Sequence, residues 1–360
     1  MWTRIFLRAT TAALAALAAV SSGGPIAFSP AAIAQEAGKS PGPSSTANVW
    51  NQVQWLRLEV NGGRIALTSR RCGQTRLTIE PTEASPWRQS LAVEAQPGAL
   101  VASYDATTDE QAITLSVDGR EQVIVTRRGS SGGNAELKYV QPPLGPVSLT
   151  LGADEPRKYT AASLWHLLVA EPAAREELLP ALSTIRPNWG LADQLAAAEG
   201  ALLAAAAGTD AGNVGNRNAG DGSVAPRRQW QSWVDQLADP SFARRNEADQ
   251  SLRAAGQAVV VHLRQLDPSA LDREQRQRIG GILTTISGSG ADSPERVAGW
   301  LADCKRVWLA LLSRPDPLVR AAAAGHLSRL SGKPIAIDTS ASNERQAQQL
   351  LELKALLSEH

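Results

Sequence analysis

The chain has 360 residues, with 36 Lys and Arg against 35 Asp and Glu and only two cysteines. That balance argues against a nucleic-acid binder, which carries a basic stripe. Two Cys without clustered His cannot build a structural zinc site.

Residues 1–34 read as a secretory signal peptide. Arg4 and Arg8 give the positive n-region, residues 9–20 the apolar run, and Ala32-Ile33-Ala34 a cleavage site before Gln35. The apolar run is about 12 residues, whereas a membrane span needs roughly 20. No Cys stands near the site to carry a lipid. No later segment is apolar enough to span; residues 195–207 come nearest and include Glu199. The expected location is periplasmic or secreted, with a soluble product and no membrane span after cleavage. Losing Arg4 and Arg8 leaves 34 basic and 35 acidic residues.

Residues 35–48 are small and polar and read as a flexible leader. From Trp50 to Leu151 the apolar period is two. Leu56, Leu58 and Val60 lead into Asn61-Gly62-Gly63, and Ile65 and Leu67 leave it. Leu77, Leu91, Leu100, Tyr104, Ile113 and Leu115 continue the pattern. Asp118-Gly119 stands between Val117 and Val123 as the clearest hairpin, and Leu137, Tyr139, Val147 and Leu151 close the series. About nine short strands with one apolar face predict an antiparallel β domain over 49–152, a sandwich or a barrel.

At Tyr159 the period becomes helical. Leu164, Trp165, Leu167 and Leu168 form a stripe after the candidate caps Thr160 and Ser163, and Pro172 opens a second helix. Pro187 ends it, and Asn188 can cap a third, Ala-rich helix. Residues 159–207 thus read as a helical connector. Residues 208–226 lack periodicity and read as a flexible linker. From 227 to 360 the pattern is helical throughout, with one long helix expected through Val297, Trp300, Val307 and Leu312 and a last one carrying Leu350, Leu353 and Leu357.

Trp233, Leu237, Asp239-Pro240 and Arg244 are echoed by Trp308, Leu312, Asp316-Pro317 and Arg320, at offsets of 75 to 77 residues. This pattern resembles HEAT-type α-solenoid repeats over roughly 228–335. The resemblance implies that each helix ends at an Asp-Pro turn and that an Arg in the next helix reaches the Asp between repeats. The fold class expected is therefore α+β and multidomain, a β-sandwich or barrel followed by an all-α HEAT-like domain.

Candidate chemistry is sparse. Gly129-Ser130-Ser131-Gly132-Gly133 fits a nucleophile elbow in letters but lies in a hairpin context. His166, His262, His326 and His360 show no metal-ligand spacing. Asp210, Asn213, Asn216, Asn218 and Asp221 could offer oxygens to calcium, but in no EF-hand spacing. Arg64, Arg70, Arg71 and Arg76 could form an anion-binding face or a set of solvated cross-strand pairs. No catalytic, cofactor or metal residue is assigned. Export permits a Cys72–Cys304 disulfide that would clamp the two domains; two buried free thiols are the other reading. Trp50, Trp55 and Trp87 could stack on sugars if exposed in one strip, or serve as core.

The resemblance to a solenoid implies a non-enzymatic scaffold of the cell envelope that holds another protein or peptide on its helical-repeat face. Carbohydrate binding through the three β-domain Trp is the alternative, and a hydrolase with a site assembled from distant residues is the second. The hydrolase requires a pocketed His within hydrogen-bond reach of Ser, Asp or Glu.

Overall fold

The computed structural model describes residues 48–353, apart from 84, 120, 130–135, 209–223, 288–289, 336–337, 339–344 and 346–347. The expected signal peptide, most of the expected leader, Ser130–Gly133 of the Gly-Ser motif, the calcium candidates Asp210 to Asp221, Leu357 and His360 lie outside the described residues. The described residues all fall in one compact unit.

Asn48 opens the described chain by accepting the Trp50 N–H at 2.9 Å and capping the short helix α1 (Val49–Gln52). The hairpin β1 (Leu56–Asn61) and β2 (Arg64–Ser69) follows, closed by Gly62 and Gly63 at φ +59° and +72°. Those angles are the left-handed pair that a tight hairpin turn demands and that glycine adopts at low cost.

The next eight strands form a meander: β3 (Gly73–Ile79), β4 (Arg88–Gln96), β5 (Ala99–Thr107), β6 (Gln111–Val117), β7 (Val123–Gly129), β8 (Leu137–Gln141), β9 (Val147–Leu151) and β10 (Arg157–Ala161). Each pairs antiparallel with the next. The register carries one row across all of them: Leu77, Leu91, Tyr104, Leu115, Val125, Tyr139, Leu149 and Tyr159. From Leu91 to Leu149 every member of this row is buried. The neighbouring row on the other face is Thr78, Ser90, Asp105, Thr114, Thr126, Lys138, Thr150 and Lys158, and it is exposed or half-buried. The period-two pattern of the sequence thus becomes a sheet apolar on one side.

That sheet is a single open row, with β3 and β10 at its edges. Among the described residues the one other sheet is the β1–β2 hairpin, and β3 does not pair with β10. Helix α1 lies against β3 and β4, and a longer helix, α3, against β5, β6 and β8. Strand β10 was absent from the sequence reading because only Tyr159 and Ala161 mark its inner face at an exposed edge.

The helices are α2 (Leu164–Ala170), α3 (Pro172–Ile185), α4 (Leu191–Gly208), α5 (Val224–Gln236), α6 (Phe242–Ala254), α7 (Val260–Gln265), α8 (Arg273–Ile286), α9 (Pro294–Ala302), α10 (Lys305–Leu312) and α11 (Pro317–Ser331). Ser163, one of the two expected caps, accepts from the His166 N–H and starts α2. Asn188 does not cap α4: residues 187–189 make a 3₁₀ turn, Gly190 is left-handed, and the helix starts after it. Helices α2 and α4 are no mere connector. Helix α2 packs on α3 and α10, and α4 packs on α9 and α11. The buried apolar residues of sheet and helices join in one continuous core.

The long helix expected through Val297 to Leu312 is two helices, α9 and α10, separated at Asp303 and Cys304. No Gly or Pro stands there. The Ala302 carbonyl accepts instead from the Trp308 indole at 2.7 Å and bonds His326 Nε2 at 3.1 Å.

Helix pairs α5–α6 and α10–α11 each form a hairpin. Arg245 donates to the carbonyls of Asp239 and Pro240, and Arg320 to those of Arg314 and Pro315. Ser241 and Asp316 occupy the N-cap positions, and Ala248 and Ala323, then Leu252 and Leu327, fill the buried stripe. All these pairs keep the 75-residue offset of Trp233 and Trp308. Aligning the Asp-Pro dipeptides slips the register, so Arg245, not Arg244, is the partner of Arg320. Arg244 pairs with Asp239 at 3.2 Å on the surface.

Candidate functional site

The tip of the β1–β2 hairpin is bound into the helices by polar groups. Asp292, whose side chain is fully buried, accepts from the Gly62 N–H, the Gly63 N–H and the Trp165 indole, each at 2.8 Å. Its own N–H donates to the Val60 carbonyl at 3.0 Å, and Asn61 donates to the Gly290 carbonyl at 2.7 Å. Burial raises the pKa of the Asp292 carboxyl, while the three donors pull it back down.

One residue further, Arg64 is almost fully buried. Its guanidinium donates to the carbonyls of Pro142, Gly145 and Arg264. Burial, and then the like charge of Arg264, lowers its pKa. Gln141 grips the Ile65 backbone from both sides at 2.8 Å and receives the Tyr139 hydroxyl at 3.0 Å. Arg64 is therefore part of the joint between sheet and helices and not of a surface cluster with Arg70, Arg71 and Arg76.

This joint fixes α9, whose first turn follows Asp292 directly. The face of α9 beyond the joint walls a cavity of about 310 Å³, completed by α5, by the 3₁₀ turn Gly256–Val259 and by α7. Trp300 and Trp230 line it, and the His262 ring lies 5.8 Å from that of Trp230. Arg227 and Arg296 also line it, with Glu295 and Asp303. Two buried polar atoms on the lining, His262 Nε2 and Gln257 Oε1, have no hydrogen-bond partner among the described residues. Burial, with Arg227 nearby, lowers the His262 pKa and keeps the ring neutral.

A second cavity, about 380 Å³, lies where α2, α10 and the end of β10 meet; His166, Cys304, Glu171 and Arg306 line it. His166 Nδ1 is 2.8 Å from Ser163 Oγ, the proximity a hydrolase would need. Both residues are buried, however, and His166 Nε2 is bonded to the Trp300 carbonyl at 3.1 Å. With both ring nitrogens engaged and its pKa pushed down to about 4 by burial, His166 stitches α2 to α9. His326 stacks on Trp308 at 4.1 Å and closes the α9–α10 break.

Cys72 and Cys304 are both free thiols, so the disulfide clamp is not formed. Neither is a buried core thiol: Cys72 is exposed before β3, and Cys304 is half-buried at the start of α10. Trp50, Trp55 and Trp87 do not share an exposed strip. Trp50 is buried against Tyr104 at 5.6 Å. Trp55 and Trp87 are half-buried, and the Arg71 guanidinium lies over the Trp55 ring at 5.1 Å, where a sugar would stack. Among the described residues no group of three His, Cys, Asp or Glu is placed to hold a metal ion. No described helix is long and apolar enough to cross a membrane.

Asp292 and the α5/α7/α9 cavity were not legible as a site, and Arg64 was legible only as one of a surface set of arginines. Asp292-Ser293-Pro294 reads as an ordinary helix start, and its hairpin partners are about 230 residues away. No protein-family model, curated protein or solved structure matches the chain.

Proposed function

We propose that the protein is an exported, non-enzymatic interaction protein in which α5–α6 and α10–α11 are two copies of a HEAT-like hairpin. One observation carries the reading. The first turn of each second helix presents a large apolar side chain to solvent, Phe242 on α6 and Leu318 on α11, 65% and 79% exposed. At the 75-residue offset Phe242 corresponds to Pro317, so the two side chains share the first turn of their helices but stand one position apart within it. Exposed apolar residues recurring on a stiff frame suit a protein partner. The polar groups that chemistry would employ, Asp292, Arg64, Ser163 and His166, are spent on joining sheet to helices.

The test is capture from envelope extract by the chain from Gln35 onward. A specific protein should be retained by the parent and lost with Phe242→Ser/Leu318→Ser, while circular dichroism and melting temperature stay the same. Equal capture by the double variant, or retention of glycan in place of protein, sinks the reading.

A further inference from the structure

Neither Phe242 nor Leu318 lines the cavity between α5, α7 and α9. We propose that it binds a small zwitterion, an α-amino acid with a large apolar or aromatic side chain. At about 310 Å³ the cavity is at the small end of ligand sites. It can hold one such side chain but no folded partner. Trp230 and Trp300 supply the apolar walls; Trp300 spends its indole N–H on the Gln257 carbonyl at 3.1 Å and so offers the cavity its ring.

Two guanidinium groups meet at this cavity. The nearest acidic oxygen to Arg227 is on Asp303 at 3.7 Å, and to Arg296 on Asp292 at 3.8 Å, both beyond hydrogen-bond length. Asp292 is already filled by three N–H donors. Among the described residues, therefore, neither guanidinium has an acidic partner at hydrogen-bond length, and both can turn to a carboxylate, the acceptor that fits their fork. Glu295 has no cationic partner among the described residues and can receive an ammonium group. With two cations and two anions around it, the cavity suits a zwitterion better than a bare anion. His262 Nε2 and Gln257 Oε1 belong to lining residues, but both atoms are closed to solvent and are not counted among the ligand's contacts.

Calorimetric titration of the whole exported chain tests this with L-phenylalanine, N-acetyl-L-phenylalanine, phenethylamine and L-alanine. Phenylalanine should bind, and each analogue that lacks the ammonium, the carboxylate or the ring should bind at least about tenfold more weakly. A Cβ at Gly299 would meet nothing within 4 Å. Gly299→Leu therefore grows into open space and favours the helix; it should abolish binding at an undiminished melting temperature. Arg227→Gln, at a half-exposed side chain, should weaken binding by about tenfold while the fold persists. No heat with any probe at millimolar concentrations overturns the proposal. So does equal affinity for the N-acetyl or the carboxylate-free analogue, or a Gly299→Leu protein that binds as the parent does.

Discussion

Replacing Asp292 by alanine leaves three buried N–H groups, those of Gly62, Gly63 and Trp165, without their acceptor. Each orphaned buried donor costs about 1–3 kcal/mol, so Asp292→Ala should lose roughly 3–5 kcal/mol in urea denaturation. A loss below about 1 kcal/mol would mean that the joint is not what secures the hairpin. Gly63 makes the same point sterically. A Cβ there would stand 2.6 Å from Ser163 Cβ, at a φ of +72°. Gly63→Ala should therefore cost about 3 kcal/mol or more, left-handed strain and overpacking together. Gly98, also left-handed but with nothing within 4 Å, is the control: Gly98→Ala should cost only the strain, about 1 kcal/mol. Equal losses at the two positions would remove the steric argument. Sequence revealed the turn at Asn61-Gly62-Gly63 because the local backbone demands glycine there. It could not reveal why this turn admits no bulk, since Ser163 lies a hundred residues on.

Elements were legible where local pattern governs and illegible where a distant group intervenes. The strands β1 to β9 follow alternation, and α2 and α3 follow their stripes and openings at Ser163 and Pro172. The α9–α10 break has no local signal; Trp308 and His326 impose it by taking the Ala302 carbonyl. The side chains that recur at 75 residues were partly visible, Trp233 with Trp308 and Leu237 with Leu312, but the Arg and Asp-Pro pairs were set one or two positions off, because Asp-Pro catches the eye and Arg245 binds carbonyls that any residue could supply. The corrected alignment makes a prediction. Arg245→Met and Arg320→Met should each cost about 1–3 kcal/mol by removing the donor to two turn carbonyls and, at Arg245, the 2.9 Å pair with Glu274, and the two losses should add. Arg244→Met, removing a surface pair, should cost no more than about 0.5 kcal/mol. If Arg244 proves as costly as Arg320, the dipeptide alignment is the right one. His166 ties α2 to α9 as a neutral ring. Its pKa is about 4 folded, against 6.5 for a free imidazole. Below pH 6.5 the unfolded chain takes up a proton that the folded chain refuses. Stability should fall as pH drops from 6.5 and level off below about 4, by roughly 3 kcal/mol in all. His262 and His326, also lowered, act in the same direction. His166→Gln should flatten the decline between pH 6.5 and 4; an unchanged slope in urea melts would place the titration elsewhere.

At the scale of the molecule, the passage from strands to helices falls after β10, at Ser163 and not at Tyr159, and it is not the edge of a compact unit. Alternation cannot tell that the first hairpin leaves the sheet to enter the helices, nor that α3 covers the sheet. Those contacts join residues 80 to 230 positions apart, through Arg64, Asp292 and the Arg186 bond to the Leu58 carbonyl. With the core continuous from Leu91 to Trp308, neither half has a complete apolar face of its own. Residues 49–152 alone would leave the hairpin tip without Asp292 and the apolar row of the sheet without α3. Burying a Leu contributes roughly 1.5–3 kcal/mol, so uncovering several of that row exceeds the 5–15 kcal/mol by which a domain is stable. The fragment should therefore give the collapsed amide dispersion of an unfolded chain by NMR. The intact protein should melt in one calorimetric transition whose measured and van't Hoff enthalpies agree, and Asp292→Ala should move that peak down without splitting it. A folded 49–152 fragment, or a sheet transition that Asp292→Ala leaves in place, would restore two independent domains.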